Sequence, residues 1–106
     1  MIQVADGLSR VGVTAERLVE FAQRHNLREL SIFGSLLRND FRPDSDVDVL
    51  FELREDDELT LERFMAMHEE LEAIFGRRVD LVQKRLVQNP YRRAAILNTR
   101  RVLYAA

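Results

Sequence analysis

Residues 30–53 read LSIFGSLLRNDFRPDSDVDVLFEL, two apolar runs held apart by a glycine and a polar, charged stretch. Glu29 to Phe33 reads as a short strand that Gly34 stops. Ser35 to Asn39 has room for a turn or two of helix before the loop Arg42-Pro43-Asp44-Ser45. Asp46 to Leu53 is the strongest strand in the chain, since DVDVLFEL alternates at first and then runs apolar. The span therefore predicts strand, helical turn, strand.

Working outward, Thr14 is a plausible N-cap for a helix running to about Asn26, with Leu18, Phe21 and Ala22 on one face. Downstream, the charged turn Arg54 to Glu58 leads into a helix from about Thr60 to Phe75. Its apolar stripe is Leu61, Phe64, Met65, Met67, Leu71, Ile74 and Phe75, and Gly76 stands where a C-cap glycine belongs. Arg78 to Gln83 predicts a third strand. Asn89-Pro90 opens another helix, ending near residues 98–100, and Val102 to Tyr104 is a short strand candidate. This order predicts an α/β (α+β) fold, a small mixed sheet packed on helices.

A chain of 106 residues suits one domain, expected over residues 1–106, and 46% hydrophobic content is enough for one modest core. No apolar run approaches the ~18 residues of a membrane span, and no signal-peptide pattern opens the chain. The absence of cysteine excludes disulfides, thiolate nucleophiles and cysteine-ligated zinc. The expectation is a cytoplasmic protein with no membrane partner.

The net charge of −2 conceals a segregation: residues 1–39 carry +1, residues 40–76 carry −10, and residues 77–106 carry +7. Such blocks either pair with each other in the fold or face a charged ligand or partner.

Three features carry chemistry. Gly34-Ser35 follows a strand and opens a helical turn, where backbone N–H groups favour an anion and glycine admits a phosphate close to the main chain. In Asp46-Val47-Asp48 the two carboxylates share a strand face while Val47 and Val49 point to the core. Carboxylates so placed are exposed, protonated or bridged by a cation, and hard oxygen ligands suit Mg²⁺. Asp80, the only acid in the +7 segment, interrupts the apolar strand RVDLVQ, for a salt bridge or for function. On one face of neighbouring strands, Asp46, Asp48 and Asp80 would form the clamp used for in-line attack at phosphorus.

The run Ile32-Phe33-Gly34-Ser35, followed after ten residues by Asp46-Val47-Asp48, resembles the signature of the DNA polymerase beta nucleotidyltransferase superfamily. The short chain, the Arg42-Pro43-Asp44-Ser45-Asp46 approach, the later RVDLV and the Asn89-Pro90-Tyr91 helix start resemble its minimal nucleotidyltransferases, the MNT group, over roughly Leu30 to Tyr104. The resemblance implies a polymerase-beta-like core and an antitoxin that transfers AMP from ATP to a tyrosine of a cognate HEPN-domain RNase toxin, in a hetero-oligomer with it, as in type VII-like systems. It further implies that Gly34, Ser35, Arg38 and Asp46 bind the nucleotide. Asp46, Asp48 and Asp80 would hold magnesium, with two ions expected, and Asp80 would be the base for the incoming hydroxyl. Where members often read Gly-Ser-x-Ala-Arg-Gly, this chain has Leu37 and Asn39, the latter able to take a left-handed turn, and Arg38 stays in register.

Other residues read as structural. His25 is expected at the surface near a helix end, His68 at a core edge, Met65 and Met67 in the core, and Glu55 to Glu58 in a solvated turn. Arg92, Arg93, Arg100 and Arg101 are expected to meet a partner protein or nucleotide phosphates; no direct nucleic-acid binding is expected, because no aromatic platform accompanies them. Two alternatives stand beside the enzyme: a catalytically idle antitoxin that neutralises by contact, and transfer to a small molecule such as an aminoglycoside. The second would be expected to carry a further domain that this short chain lacks.

Overall fold

The computed structural model describes residues 7–106, so the first six residues of the expected 1–106 domain lie outside the described residues. The elements are α1 (Ala15–Arg24), β1 (Leu27–Phe33), a 3-10 turn (Gly34–Leu37), β2 (Val47–Leu53), α2 (Leu61–Phe75), β3 (Val79–Gln83), a second 3-10 turn (Lys84–Leu86), α3 (Pro90–Thr99) and β4 (Arg101–Ala105). The mixed α/β expectation holds, with the helical turn after Gly34 shorter and tighter than a regular helix.

Each helix begins where a side chain replaces a missing backbone partner. Thr14 Oγ1 accepts from Arg17 N at 3.3 Å, Thr60 Oγ1 from Arg63 N at 3.1 Å, and Asn89 Oδ1 from the N–H groups of Tyr91 and Arg92, each at 3.0 Å. Gly76 ends α2 in the left-handed region at φ +66°, its N–H donating to Glu72 O. Among the described residues, the one non-glycine with positive φ is Asn26, which turns the chain from α1 into β1. Asn39, though able to take a left-handed turn, does not adopt one.

The sheet runs β3-β2-β1-β4. β1 pairs antiparallel with β2 and with β4, while β2 and β3 are parallel, joined through α2. One face, carrying Leu30, Ile32, Val49, Phe51 and Leu81, packs on Leu18 and Phe21 of α1 and Met67, Leu71 and Phe75 of α2. On the other face, Phe33 and Leu50 pack under Val87 and Ile96 of the α3 region. β1 is covered on both faces, so Glu29 and Ser31 are buried despite being polar. Glu29 is satisfied by Ser31 Oγ at 2.9 Å, Lys84 Nζ at 3.0 Å and Arg100 Nε at 2.7 Å. Burial works against its ionisation, but these hydrogen bonds outweigh it and hold the carboxyl below its ordinary value. The result clamps both ends of the α3 segment to the sheet.

Two expectations fail on α2 and α1. Met67 is fully buried, but Met65 is 59% exposed and Leu61 74%, because the helix buries a narrower stripe than its apolar residues would fill. His25 is half-buried, with its ring 4.5 Å from that of Phe21 and Nε2 2.7 Å from Glu70 Oε1. His68 sits at a core edge as expected, donating to Val79 O at 2.9 Å. No helix among the described residues is long and apolar enough to cross a membrane.

Candidate active site

The site gathers at one end of the sheet. Asp48 and Asp80 are register partners in the parallel β2–β3 pair, and Phe33, the residue before Gly34, pairs with Asp48 on the other side. Gly34 has φ +77°, and a Cβ there would lie 2.9 Å from Asp48 Cγ, so the carboxylate occupies the space a side chain would fill. Only glycine meets both demands. Asp46 stands just before β2 and is held by Arg78 Nε at 3.1 Å; both side chains are well exposed.

The acids feel one another. Burial first, then the charges of Asp80 and Asp46, push the Asp48 carboxyl up from 3.8 to about 6, against the opposing pull of Arg38 and Arg92. Asp80 is exposed and, among the described residues, takes part in none of the ion pairs, so the salt bridge weighed for it is not formed there. Among the described residues, no three acidic or histidine side chains converge as closely as a bound metal would require. Asp46 is turned towards Arg78, a solvent-exposed pair of the kind worth only ~0–1 kcal/mol. The donor set still suits magnesium: hard carboxylate oxygens, with like charges crowding Asp48 that a cation would relieve.

The turn after Gly34 is anchored from below. Leu36 is fully buried, and Arg10 Nη1 donates to Leu36 O at 3.0 Å and also to Arg38 O. No side chain caps the start of this turn. Ser35 is half-buried, and Arg38 is exposed, with Nε 3.2 Å from Asp40 Oδ1. Arg77 positions the approach to Asp46, its Nη1 reaching Pro43 O at 3.2 Å and its guanidinium lying 4.9 Å from the Phe41 ring centroid. No local pattern marks Arg10 or Arg77, because each acts across more than 25 residues on a backbone carbonyl. Beside Gly34 opens a cavity of about 330 Å³ lined also by Leu37, Arg38, Asn98, Thr99 and Arg101.

The basic block divides by role. Arg93 Nη1 is spent on Lys84 O at 2.8 Å and Val87 O at 3.1 Å, and Arg100 on Glu29 and Leu97 O, so neither presents its head to a partner as expected. Arg92 is exposed and acts on Asp48. Among the described residues, the acidic and basic blocks form ion pairs at Asp46–Arg78 and Glu52–Lys84.

Residues 15–103 match the nucleotidyltransferase domain family. The chain belongs to that family. Over 65 residues it is 43% identical to the protein adenylyltransferase MntA of Thermococcus cleftensis, an alignment covering 61% of this chain and 64% of that protein. The chain thus matches slightly less than two thirds of this relative's length. The solved structure of a minimal nucleotidyltransferase is similar at a TM-score of 0.69 and 31% identity, covering 82% of this chain and 86% of that one. The fold is also that of the MNT antitoxin solved with a tri-AMPylated HEPN toxin of Shewanella oneidensis, at a TM-score of 0.63 and 17% identity, covering 87% and 70%. The nucleotidyltransferase core implied by the sequence is therefore the observed one.

Proposed function

We propose that this chain is the antitoxin of a toxin–antitoxin pair, a single minimal nucleotidyltransferase domain that transfers AMP from ATP to a tyrosine hydroxyl of a cognate HEPN-domain toxin. Support comes from the homologous adenylyltransferase MntA and from the MNT antitoxin of the same fold bound to an AMPylated toxin. The observation that carries the reading is the packing of Asp48 on Gly34 with Asp80 as its register partner.

In this reading Gly34 and Ser35 present main-chain N–H groups to the triphosphate, and Arg38 adds a cation to it. Asp46, Asp48 and Asp80 would hold magnesium, which would supply neutralisation of the triphosphate charge. Asp80, exposed at the sheet edge, takes the proton of the acceptor hydroxyl. The hydroxyl oxygen bonds to the α-phosphorus as the bond to the bridging oxygen breaks, and pyrophosphate leaves with that electron pair. A protein acceptor is favoured because its own surface would wall the open side of the cleft and orient the attack.

The contact-only antitoxin is favoured by one observation, the engagement of Asp46 with Arg78. Labelled ATP separates the two. A label on the α-phosphate should move to the partner and one on the γ-phosphate should not, and Asp46→Asn and Asp48→Asn should each abolish transfer. Absence of α-label on the partner with Mg²⁺ present would leave the contact-only reading standing.

A further inference from the structure

We propose that Glu72 and His68 of α2 are positioning residues for Asp80: together they take up the free-edge hydrogen bonds of Val79 and fix the end of β3 from which Asp80 acts. This rests on the nucleotidyl transfer proposed above and assigns the device that holds its base in place.

β3 is an edge strand of five residues, and Asp80 is the second of them. With no ion pair at its carboxylate among the described residues, Asp80 stands where the backbone of β3 puts it. Val47 N donates to Arg78 O at 3.0 Å, and Val47 is the register partner of Val79. Parallel pairing of this kind sends the Asp80 N–H to β2 and turns the N–H and C=O of Val79 outward, to the edge that has no neighbouring strand. Backbone groups left open at such an edge invite another strand to pair with them.

Both groups are covered from α2. Val79 N donates to Glu72 Oε2 at 3.0 Å, and His68 Nε2 donates to Val79 O at 2.9 Å. The two side chains lie one helical turn apart, and His68 Nε2 stands 3.4 Å from Glu72 Oε2, so the three groups close on one another. Phe64, a further turn back, stacks on the His68 ring at 6.3 Å between centroids and 8° between planes, which sets the orientation of the ring. α2 is capped at Gly76, and only Arg77 and Arg78 separate that cap from β3, so the clamp spans a short connection. The Val79 side chain is buried on the α2 side of the sheet, whereas Asp80, the next residue, faces the opposite side with Asp48. Holding Val79 by both of its polar groups therefore fixes the Cα from which the Asp80 carboxylate reaches the acceptor hydroxyl. A displacement of about 1 Å at such a group can cost about a hundredfold in rate.

Amide hydrogen exchange on the full chain, without nucleotide or metal, reads the clamp directly. Glu72→Leu removes a hydrogen bond to a charged group and should speed exchange at Val79 by about tenfold or more. Asp80, whose own N–H goes to β2, should speed up with it. His68→Leu should speed Asp80 as well, and it carries the same comparison if Glu72→Leu folds poorly. Glu72→Gln keeps an acceptor oxygen and should lie near the native protein, and Glu69→Leu, a control on the same helix, should match it. AMP transfer to the cognate toxin, measured well below the melting temperature, should split. The kcat should fall about tenfold or more in Glu72→Leu and recover in Glu72→Gln. KM for ATP should not change, because the contacts proposed for ATP lie at Gly34, Ser35, Arg38 and Asp46. Unchanged exchange at Asp80 in both leucine variants would overturn the proposal. So would kcat and KM for ATP worsening together, or Glu72→Gln transferring no better than Glu72→Leu. If the native protein transferred no AMP, the nucleotidyl-transfer reading would fall, and exchange at Asp80 would still decide the clamp.

Discussion

Replacing Asp48 with Asn should stabilise the folded protein at neutral pH while destroying its chemistry. The side chain is half-buried against Gly34 and beside two other acids, and its carboxyl is raised from 3.8 to about 6. Between those values the native state holds the proton more tightly than the unfolded chain, so stability falls as pH rises through the window. The rise sets a ceiling of ~3 kcal/mol on the cost of ionising Asp48 in the folded state. Water reaches part of the group, which reduces the realistic gain from the isosteric amide to ~1–2 kcal/mol. For a domain of this size that is on the order of 5–10 °C in Tm. Urea titrations with a chelator at about pH 7.5 and about pH 4 measure it. The variant should gain at the higher pH and show little difference at the lower one, where native Asp48 is protonated. Destabilisation at neutral pH, or a gain independent of pH, would refute the electrostatic account of the carboxylate cluster.

Gly34→Ala should cost at least ~1–2 kcal/mol for its positive φ alone, and it should also displace the Asp48 carboxylate; thermal melts and ATP binding together check both effects. Glu29→Ala leaves half-buried Arg100 without this anion and Lys84 with Glu52 in its place, so a loss of up to ~3 kcal/mol is expected in denaturant titration. Asn89→Ala removes the cap of α3 and should cost ~1 kcal/mol, with amide exchange accelerating first at Tyr91 and Arg92.

Much of this architecture was readable from local signals. The caps at Thr14 and Asn89, the stop at Gly34 and the C-cap at Gly76 are each decided within four residues and stand where the sequence put them, while Thr60, read as the start of its helix, caps it. Asp48 and Asp80 were recognisable as a pair because both interrupt apolar strands, and parallel register sets them side by side. What escaped depends on long-range placement. That β4 lies against β1, bringing Arg101 to the cavity, follows from sheet order and not from any local pattern. The inward turn of Arg100 depends on Glu29 being buried 71 residues away, and that of Arg93 on the second 3-10 turn, which sets the Lys84 and Val87 carbonyls within its reach. Met65 and Met67 are two apart on a helix and therefore point to different sides, so only one could reach the core.

The most direct test of the transferase account separates a covalent mark from a grip. The protein is incubated with ATP, Mg²⁺ and its cognate toxin, then removed, and the toxin is assayed and weighed alone. Catalysis predicts that the separated toxin stays inactive and has gained the mass of one or more AMP groups. Recovery of full toxin activity after separation, with no added mass, would contradict it and identify a protein that neutralises by binding alone.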